Sequence, residues 1–360
     1  QNAGYAFAEV RPRLTRNAEA RTIDLVFDVV DGPRVFVERI DIVGNVRTKD
    51  TVIRREFRLA EGDAFNAARI ARSRQRIMDL NYFGKVEVTN QPGSAPDRTV
   101  VQVEIEEKAT GELTIGGGYS TDSGVLGTVG LRERNLVGTG LDGQFLVTLA
   151  QRRSQLDISL TDPYFLDRNL VAGIDVFYVT RNNRDVSSFD DKRVGFALRI
   201  GYEFNEHLRQ NWSYSLVQRK IDNIEPGASI YIIDQQGTTT NSMIGQVLTL
   251  DYRDSRIDPR DGFVIRLGTD VSGLGGDVGF FRPRLDGTYY QPLSPILGLQ
   301  QAYTLVLSAG VGYLLQYGER ERIIDNFFLG GENLRGFERG GVGPRDIATD
   351  DALGGRFIWT

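Results

Sequence analysis

Residues 193–204 read RVGFALRIGYEF. Val194, Phe196, Leu198, Ile200, Tyr202 and Phe204 fall on one side of an extended chain, and Arg193, Gly195, Ala197, Arg199, Gly201 and Glu203 on the other. A period of two held over such a stretch is a strand with one apolar, aromatic face and one charged or small face. Trp212, Tyr214 and Leu216 repeat the pattern against Asn211, Ser213, Ser215 and Val217. So do Phe263, Ile265, Leu267, Thr269 and Val271, and Tyr303, Leu305, Leu307, Ala309, Val311 and Tyr313. The lengths suit the roughly 9–11 residues that cross a bilayer with tilt. Alternation alone fits a lipid-embedded barrel with a wet interior, and equally a soluble sandwich whose apolar face turns inward.

The connections separate the two. One set is compact and rich in turn formers: 134–140, 161–165, 204–207, 253–262 and 292–295. The intervening set is variable and polar: around 120–124, 151–154, 182–191, 222–240, 273–279 and 315–354. Short turns at one end and long loops at the other are the asymmetry of outer-membrane barrels. The reading is therefore an antiparallel transmembrane β-barrel from 111 onward. Eleven strands precede the longest loop, and Arg356–Thr360 reads as the start of a twelfth. Barrels must close, because lipid cannot satisfy an open edge. A chain ending inside a strand thus reads as incomplete at its C-terminus.

Residues 1–110 follow another rhythm. Tyr5–Val10 and Thr22–Val29 alternate across the polar segment Thr15–Ala20, a β-hairpin. Val35–Ile42 is a strand. Thr48 reads as the N-cap of a helix from Lys49 to Phe57. Asn66 caps a second helix with Ile70, Ala71, Ile77 and Leu80 on one face, and Gly84 ends it. Val86–Thr89 and Thr99–Ile105 pair across Pro92-Gly93-Ser94. The order β-α-α-β-β leaves a strand edge that can accept an extended peptide through main-chain hydrogen bonds.

Composition narrows the chemistry. The formal net charge is −5, with Arg scattered among Asp and Glu, which disfavours nucleic acid. There is no Cys and a single His, His207, read as a solvated turn residue. Neither a thiolate or His-based metal site nor a Cys/His nucleophile pair can be built from that. Gly116-Gly117-Gly118 and Gly330-Gly331 lack the Lys-Ser/Thr of a phosphate loop. No cofactor and no enzyme chemistry are expected. The three glycines sit in the first barrel strand, Leu113–Tyr119, where they weaken register or allow close packing against a neighbour. The remaining oddity is FFLGGENLRGFERGGVGPRD at 327–346, a long Gly-rich loop carrying Leu334, Arg335, Gly336 and Phe337. Loops of this length are usually functional or disordered.

The N-terminal pattern resembles the polypeptide-transport-associated (POTRA) domain. Residues 33–110 read as one complete, membrane-proximal copy, and 1–32 as the C-terminal part of the copy before it. POTRA modules followed by such a barrel resemble the outer-membrane protein assembly and translocation superfamily. The motifs that carry the resemblance are Asn-Leu-Val-Gly-Thr-Gly at 135–140; Asp162, Pro163, Tyr164 and Phe165; the turn 254–262 with Asp254, Arg256, Pro259 and Gly262; and Gly330–Phe337. Leu334 stands where the family usually has Val.

The resemblance implies a sixteen-stranded barrel over 111–360 and beyond, in the bacterial outer membrane, with the N-terminal modules in the periplasm. It implies that the loop 315–354 folds back into the lumen, and that Arg335 meets partners on strands past Thr360. It further implies an insertase and foldase for β-barrel proteins. The partners would be nascent outer-membrane proteins, outer-membrane lipids and accessory periplasmic lipoproteins, with no nucleic acid. A secretion pore or autotransporter assembly factor of the same superfamily is the alternative. A passive porin and a soluble β-rich binding protein stand further off.

Overall fold

The structure, a computed structural model, describes residues 9–17, 22–30, 34–120, 123–184, 188–293, 303–317, 322–331, 333–338 and 340–360. It divides into two units. One holds residues 1–111 together with 133–141; the other holds 112–132 and 142–360.

In the first unit, β1 (Glu9–Asn17) pairs antiparallel with β2 (Thr22–Val30). The strand extends further than the sequence indicated. Thr15–Asn17, read as part of the turn, lie opposite Asp24, Ile23 and Thr22, while Tyr5–Ala8 fall outside the described residues. Next come β3 (Phe36–Val43), α1 (Asp50–Arg54), α2 (Ala67–Asp79), β4 (Phe83–Pro92) and β5 (Arg98–Glu107). The sheet order is β3-β5-β4, parallel between β3 and β5 and antiparallel between β5 and β4. Val35, Val37, Ile40, Ile53, Phe65, Ile77, Phe83, Val101 and Val103 form its buried core.

Three local expectations change here. The first helix stops at Arg54, and the chain continues in i→i+3 turns, Glu56 N–H to Ile53 C=O and Phe57 N–H to Arg54 C=O. Thr48 does not cap it, because the Thr48 hydroxyl is occupied by Asn135. The second helix does begin at Asn66, whose side chain accepts from Arg69 N–H. Its buried face uses Ser73 rather than Ala71, since the Ser73 hydroxyl donates to Arg69 C=O and accepts from Arg58 N–H. Asn81, at φ 61°, turns the chain out of the helix, and Gly84 already lies in β4.

The second unit is one antiparallel meander. Its strands are β6 (Gly111–Ser120), β7 (Gly124–Leu136), β8 (Leu141–Ala150), β9 (Arg153–Asp162), β10 (Leu170–Asn182), β11 (Asp190–Glu203), β12 (Leu208–Asp222), β13 (Gly237–Asp251), β14 (Gly262–Gly276), β15 (Phe280–Pro292) and β16 (Thr304–Tyr313). The short β17 (Leu315–Gln316) pairs with β15, and β18 (Phe357–Trp359) pairs with β16. The path runs β18-β16-β15 and so on down to β6. Among the described residues eleven strands thus precede the long loop and one follows it, as the alternation indicated, with β17 an added fragment. The loop at 151–154 is shorter than expected: Gln151 and Arg152 alone separate β8 from β9.

Which face is buried decides between barrel and sandwich. Val194, Leu198, Ile200 and Trp212 remain 45–46% exposed, so their apolar face is the outer one. The opposite face is laced with ion pairs: Arg199 with Asp175, Arg282 with Asp270 at 2.8 Å and Arg284 with Asp286 at 2.9 Å. A soluble sandwich would bury the first face and expose the second. A sheet in lipid does the reverse.

Candidate functional site: a glycine-rich edge strand, an anchored loop and an open module edge

The first candidate is β6. Gly116, Gly117 and Gly118 lie within it, all exposed, and the strand ends the sheet. None of the three takes a positive φ. A Cβ added at Gly116 or Gly118 would meet nothing within 4 Å, and at Gly117 only the Leu126 carbonyl at 3.7 Å. Among the described residues, then, no neighbour packs closely on these glycines. Glycine within a strand lowers strand propensity and loosens register.

The second is the long loop. Residues 330–337 close on themselves. Gly331 N–H donates to Phe337 C=O at 2.8 Å, and Asn333 joins Gly330 N–H to Phe328 C=O at 2.9 Å each. Leu334, Arg335, Gly336 and Phe337 form the tip, with Arg335 and Phe337 exposed. Among the described residues Arg335 makes no ion pair. The base of the loop is held instead. Phe327 packs against the buried cluster of Val278, Phe280 and Leu314, on the ion-paired face of the sheet, opposite Gly312. Arg219 of β12 donates to Ile324 C=O at 3.2 Å and lies 3.6 Å from Asp325, which also binds Arg322 at 2.9 Å. Arg219 is in turn bound to Asp191 at 2.8 Å. Further along, Asp351 accepts from the Ser188 hydroxyl at 2.7 Å and Ser229 N–H at 2.8 Å. The Ser229 hydroxyl donates to Asp346 at 2.5 Å. That donor, followed by the Ala348 N–H, holds the Asp346 carboxyl below the usual carboxylate range. The helical turn α3 (Ile230–Ile233), with Phe189, Ile221, Ile232 and Ile323 buried around it, joins this part of the loop to the β12–β13 connection. Sequence reading missed all of these anchors. Each is a pair from distant segments, and no local pattern marks it.

The third is the edge of the module. The outer edge of β3 is already covered. Val37 exchanges bonds with Asp63 and Gly62, and Phe65 N–H donates to Val35 C=O. The Glu61 carboxylate takes Ile40 N–H, and the Arg54 guanidinium takes Ile40 C=O. The open edge is therefore β4. Gly93 N–H points to Arg98, so alternation turns Val86, Val88 and Asn90 outward. Arg74 occupies the Val86 carbonyl at 2.8 Å.

The turn motifs have mainly local architectural roles. Asp162 accepts Tyr164 N–H across Pro163, and Phe165 opens a single 3₁₀ turn. Asp254 accepts three backbone N–H groups, from Ser255, Arg260 and Asp261. Those of Arg260 and Asp261 lead in holding its carboxyl below the usual range. The turn carries Pro259 and closes at Gly262, while Arg256 reaches Glu206 C=O at 3.4 Å. His207 is not simply solvated: its ring stacks on Tyr252 at 4.1 Å and its Nδ1 lies 3.0 Å from Asp251 C=O.

The turn at 135–140 folds with the first unit. Buried Asn135 donates to the Thr48 hydroxyl and accepts Gly140 N–H, both at 2.8 Å, and Lys49 N–H donates to Gly138 C=O. Beside it, Glu107 receives the N–H groups of Arg47 and Thr48. Burial pushes the Glu107 carboxyl up, but the Thr48 hydroxyl and these N–H groups outweigh it and hold it below the usual range.

A sequence profile described as the Omp85 superfamily domain matches residues 135–360. The chain belongs to the Omp85 superfamily. A second profile, the surface antigen variable number repeat of the POTRA type, matches residues 35–108. The outer membrane protein assembly factor BamA of Neorickettsia risticii is 33% identical over 358 residues, 99% of this chain and 47% of that protein. BamA of Nitratidesulfovibrio vulgaris is 30% identical over 98% of this chain and 44% of its own. This Omp85 chain thus spans about half the length of the curated relatives it matches. The crystal structure of Haemophilus ducreyi BamA lacking POTRA domains 1–3 superposes with a TM-score of 0.87 at 21% identity, over 99% of this chain and 72% of that one. The fold expected from the sequence, a POTRA module followed by a large antiparallel sheet matching part of an Omp85 barrel, is the fold found. The bacterial outer-membrane location, with the POTRA module in the periplasm, goes with that membership.

Proposed function

We propose that the protein to which this chain belongs is an insertase and foldase that assembles β-barrel proteins into the outer membrane. Its clients are nascent outer-membrane proteins, its surroundings outer-membrane lipids, and its companions accessory periplasmic lipoproteins. The work is not covalent. A client segment first adds to the open β4 edge through Val88 and Asn90, where main-chain bonds give affinity without close sequence reading. It then pairs with β6, so that its N–H and C=O groups stay bonded while it enters lipid, where each unpaired group costs several kcal/mol. β6 can release its own neighbour because Gly116–Gly118 hold it loosely.

The observation that carries this reading is that, among the described residues, no contact or backbone strain requires those three glycines. The loop supports it too. Fastened through Arg219, Asp325 and Asp351, it suits a closed lumen better than a passive pore. In this proposal residues 1–32, 33–110 and 111–360 are a partial POTRA domain, a complete one and the barrel. The loop 315–354 plugs the lumen, and Arg335 at its tip supports assembly.

The test is in cells that depend on the full-length protein. Deleting 33–110, or replacing Arg335 by Ala, should lower the amount of folded outer-membrane proteins. Unchanged assembly in both variants would remove the proposal.

A further inference from the structure

Left-handed backbone favours glycine and, after it, short polar residues that hydrogen-bond locally. Among the described residues seven others than glycine have positive φ, and five of them are Asn81, Asp167, Ser188, Asn223 and Asp350. The two apolar ones are Val137, at φ 53°, and Leu166, at φ 57°. Each closes a hairpin at the short-turn end, Val137 between β7 and β8 and Leu166 between β9 and β10. Val137 is 84% exposed and Leu166 70%. Among the described residues, then, packing does not call for an apolar side chain at either position.

The turn at Leu166 is fastened on itself. Asp162 accepts Tyr164 N–H at 2.9 Å, Asp167 N–H donates to Tyr164 C=O at 2.9 Å and Arg168 N–H to Phe165 C=O at 3.3 Å. Phe165 is exposed as well. A held backbone thus presents two apolar side chains to its surroundings, and strain of this kind persists where the structure around it fixes it.

The strands show what those surroundings are. β6 starts where the periplasmic module ends, so the short turns lie on the periplasmic side. Leu170, at the start of β10, pairs with Tyr202 of β11. Tyr202 continues the outer row of Leu198 and Ile200, and its ring meets that of Phe204 edge-on, with centroids 5.1 Å apart at 79°. Phe204 N–H still bonds to Leu208 C=O, so Phe204 keeps the outer face at the end of the next hairpin, and it is 59% exposed. An apolar wall ending in aromatic rings marks the membrane boundary. The headgroup layer beyond the hydrocarbon is roughly 5–7 Å deep, about the reach of one compact turn. We propose that Phe165, Leu166 and Phe204 anchor the turn end of the sheet in the periplasmic leaflet, at the boundary between phospholipid headgroups and acyl chains. The left-handed backbone at Leu166 is kept for that contact. The proposal rests on the outer-membrane placement of the sheet and not on the insertase reading.

The full-length protein would be placed in nanodiscs of phosphatidylethanolamine and phosphatidylglycerol, carrying bimane on a single cysteine introduced as Leu166→Cys, Phe204→Cys, Leu198→Cys or Ile347→Cys. Leu198 lies on the lipid-facing wall, and Ile347 is fully exposed in the long loop. Quenching is read with lipids brominated near the headgroup and with iodide in the water. We expect bromolipid to remove most of the emission in the Leu166→Cys and Phe204→Cys proteins, as in Leu198→Cys, and iodide to leave it. Ile347→Cys should do the reverse. Without any label, phosphatidylethanolamine with a diazirine near its headgroup should crosslink to the wild-type peptides that hold Phe165, Leu166 and Phe204. Phe165→Ser with Leu166→Asn should lose most of the first adduct while heat-modifiable mobility on gels shows it folded. Iodide quenching in Leu166→Cys and Phe204→Cys beside bromolipid quenching in Leu198→Cys would overturn the proposal, as would crosslinks unchanged in the double variant. Loss of bromolipid quenching in Leu198→Cys too would overturn it together with the membrane placement.

Discussion

Two sets of glycines in this chain behave oppositely. Gly138 and Gly330 have φ values of 70° and 120°, and a Cβ at either would overlap a carbonyl oxygen, that of Arg47 or Glu338. Geometry demands glycine at both. Gly116, Gly117 and Gly118 have ordinary strand backbone and open space or loose contact around them. Larger residues would fit and would strengthen the strand. In the proposed function such glycines keep β6 weak, and β6 is one of the two strands that end the described sheet, with β18 at the other end. The middle of the sheet is built the other way, with long strands joined by ion pairs such as Arg199 with Asp175.

The contrast can be broken at several points. The largest effect should come from Gly138→Ala or Gly330→Ala, where backbone must move: a loss of about 4 kcal/mol or more, or failure to fold, in a denaturant titration. Normal stability in both would mean that the turns tolerate L residues and the two classes of glycine are not distinct. Arg219→Leu comes next, because it leaves Asp191 and Asp325 short of a partner. Breaking a buried pair costs about 3–5 kcal/mol, and protease cleavage within 322–353 should rise. An unchanged digestion pattern would show that the loop is held by other means. Asn135→Ala should cost about 1–3 kcal/mol, since the buried Gly140 N–H loses its acceptor and the Thr48 hydroxyl loses one of its bonds. A stability equal to wild type would take Asn135 out of the turn's support.

The smallest effect concerns pH. The Asp254 carboxyl is held below its ordinary value, so its contribution is fully present above about pH 3.9 and is lost as pH falls through the lower folded value. Exchange protection of the Arg260 and Asp261 amides should follow that course. Identical protection in an Asp254→Ala variant would show that the carboxylate does not organise the turn.

Much of this was legible in the sequence. Period-two alternation gave the strands, their count and their two faces. It could not say which face was buried, because alternation is the same in water and in lipid; the exposure of Val194, Leu198 and Trp212 answered that. The helix expected from Lys49 to Phe57 gives way to tighter turns after Arg54, and the cap expected from Thr48 is not made. The Thr48 hydroxyl is engaged by Asn135, in a turn far along the chain. The Arg335 motif was visible as a motif, yet the anchors that hold its loop, Arg219, Asp325, Asp351 and Ser229, were not. Long-range polar pairs leave no periodic trace. For β6 the three glycines are plain in the sequence, whereas the open space around them among the described residues is a three-dimensional property that no local pattern carries.

The most direct test replaces Gly116, Gly117 and Gly118 together by Val in the full-length protein. Thermal unfolding in detergent and folded client levels in cells are then measured side by side. The account predicts a variant at least as stable as wild type that assembles clients poorly, because a firmer β6 pairs too well to exchange partners. Wild-type assembly by that stable variant would contradict it.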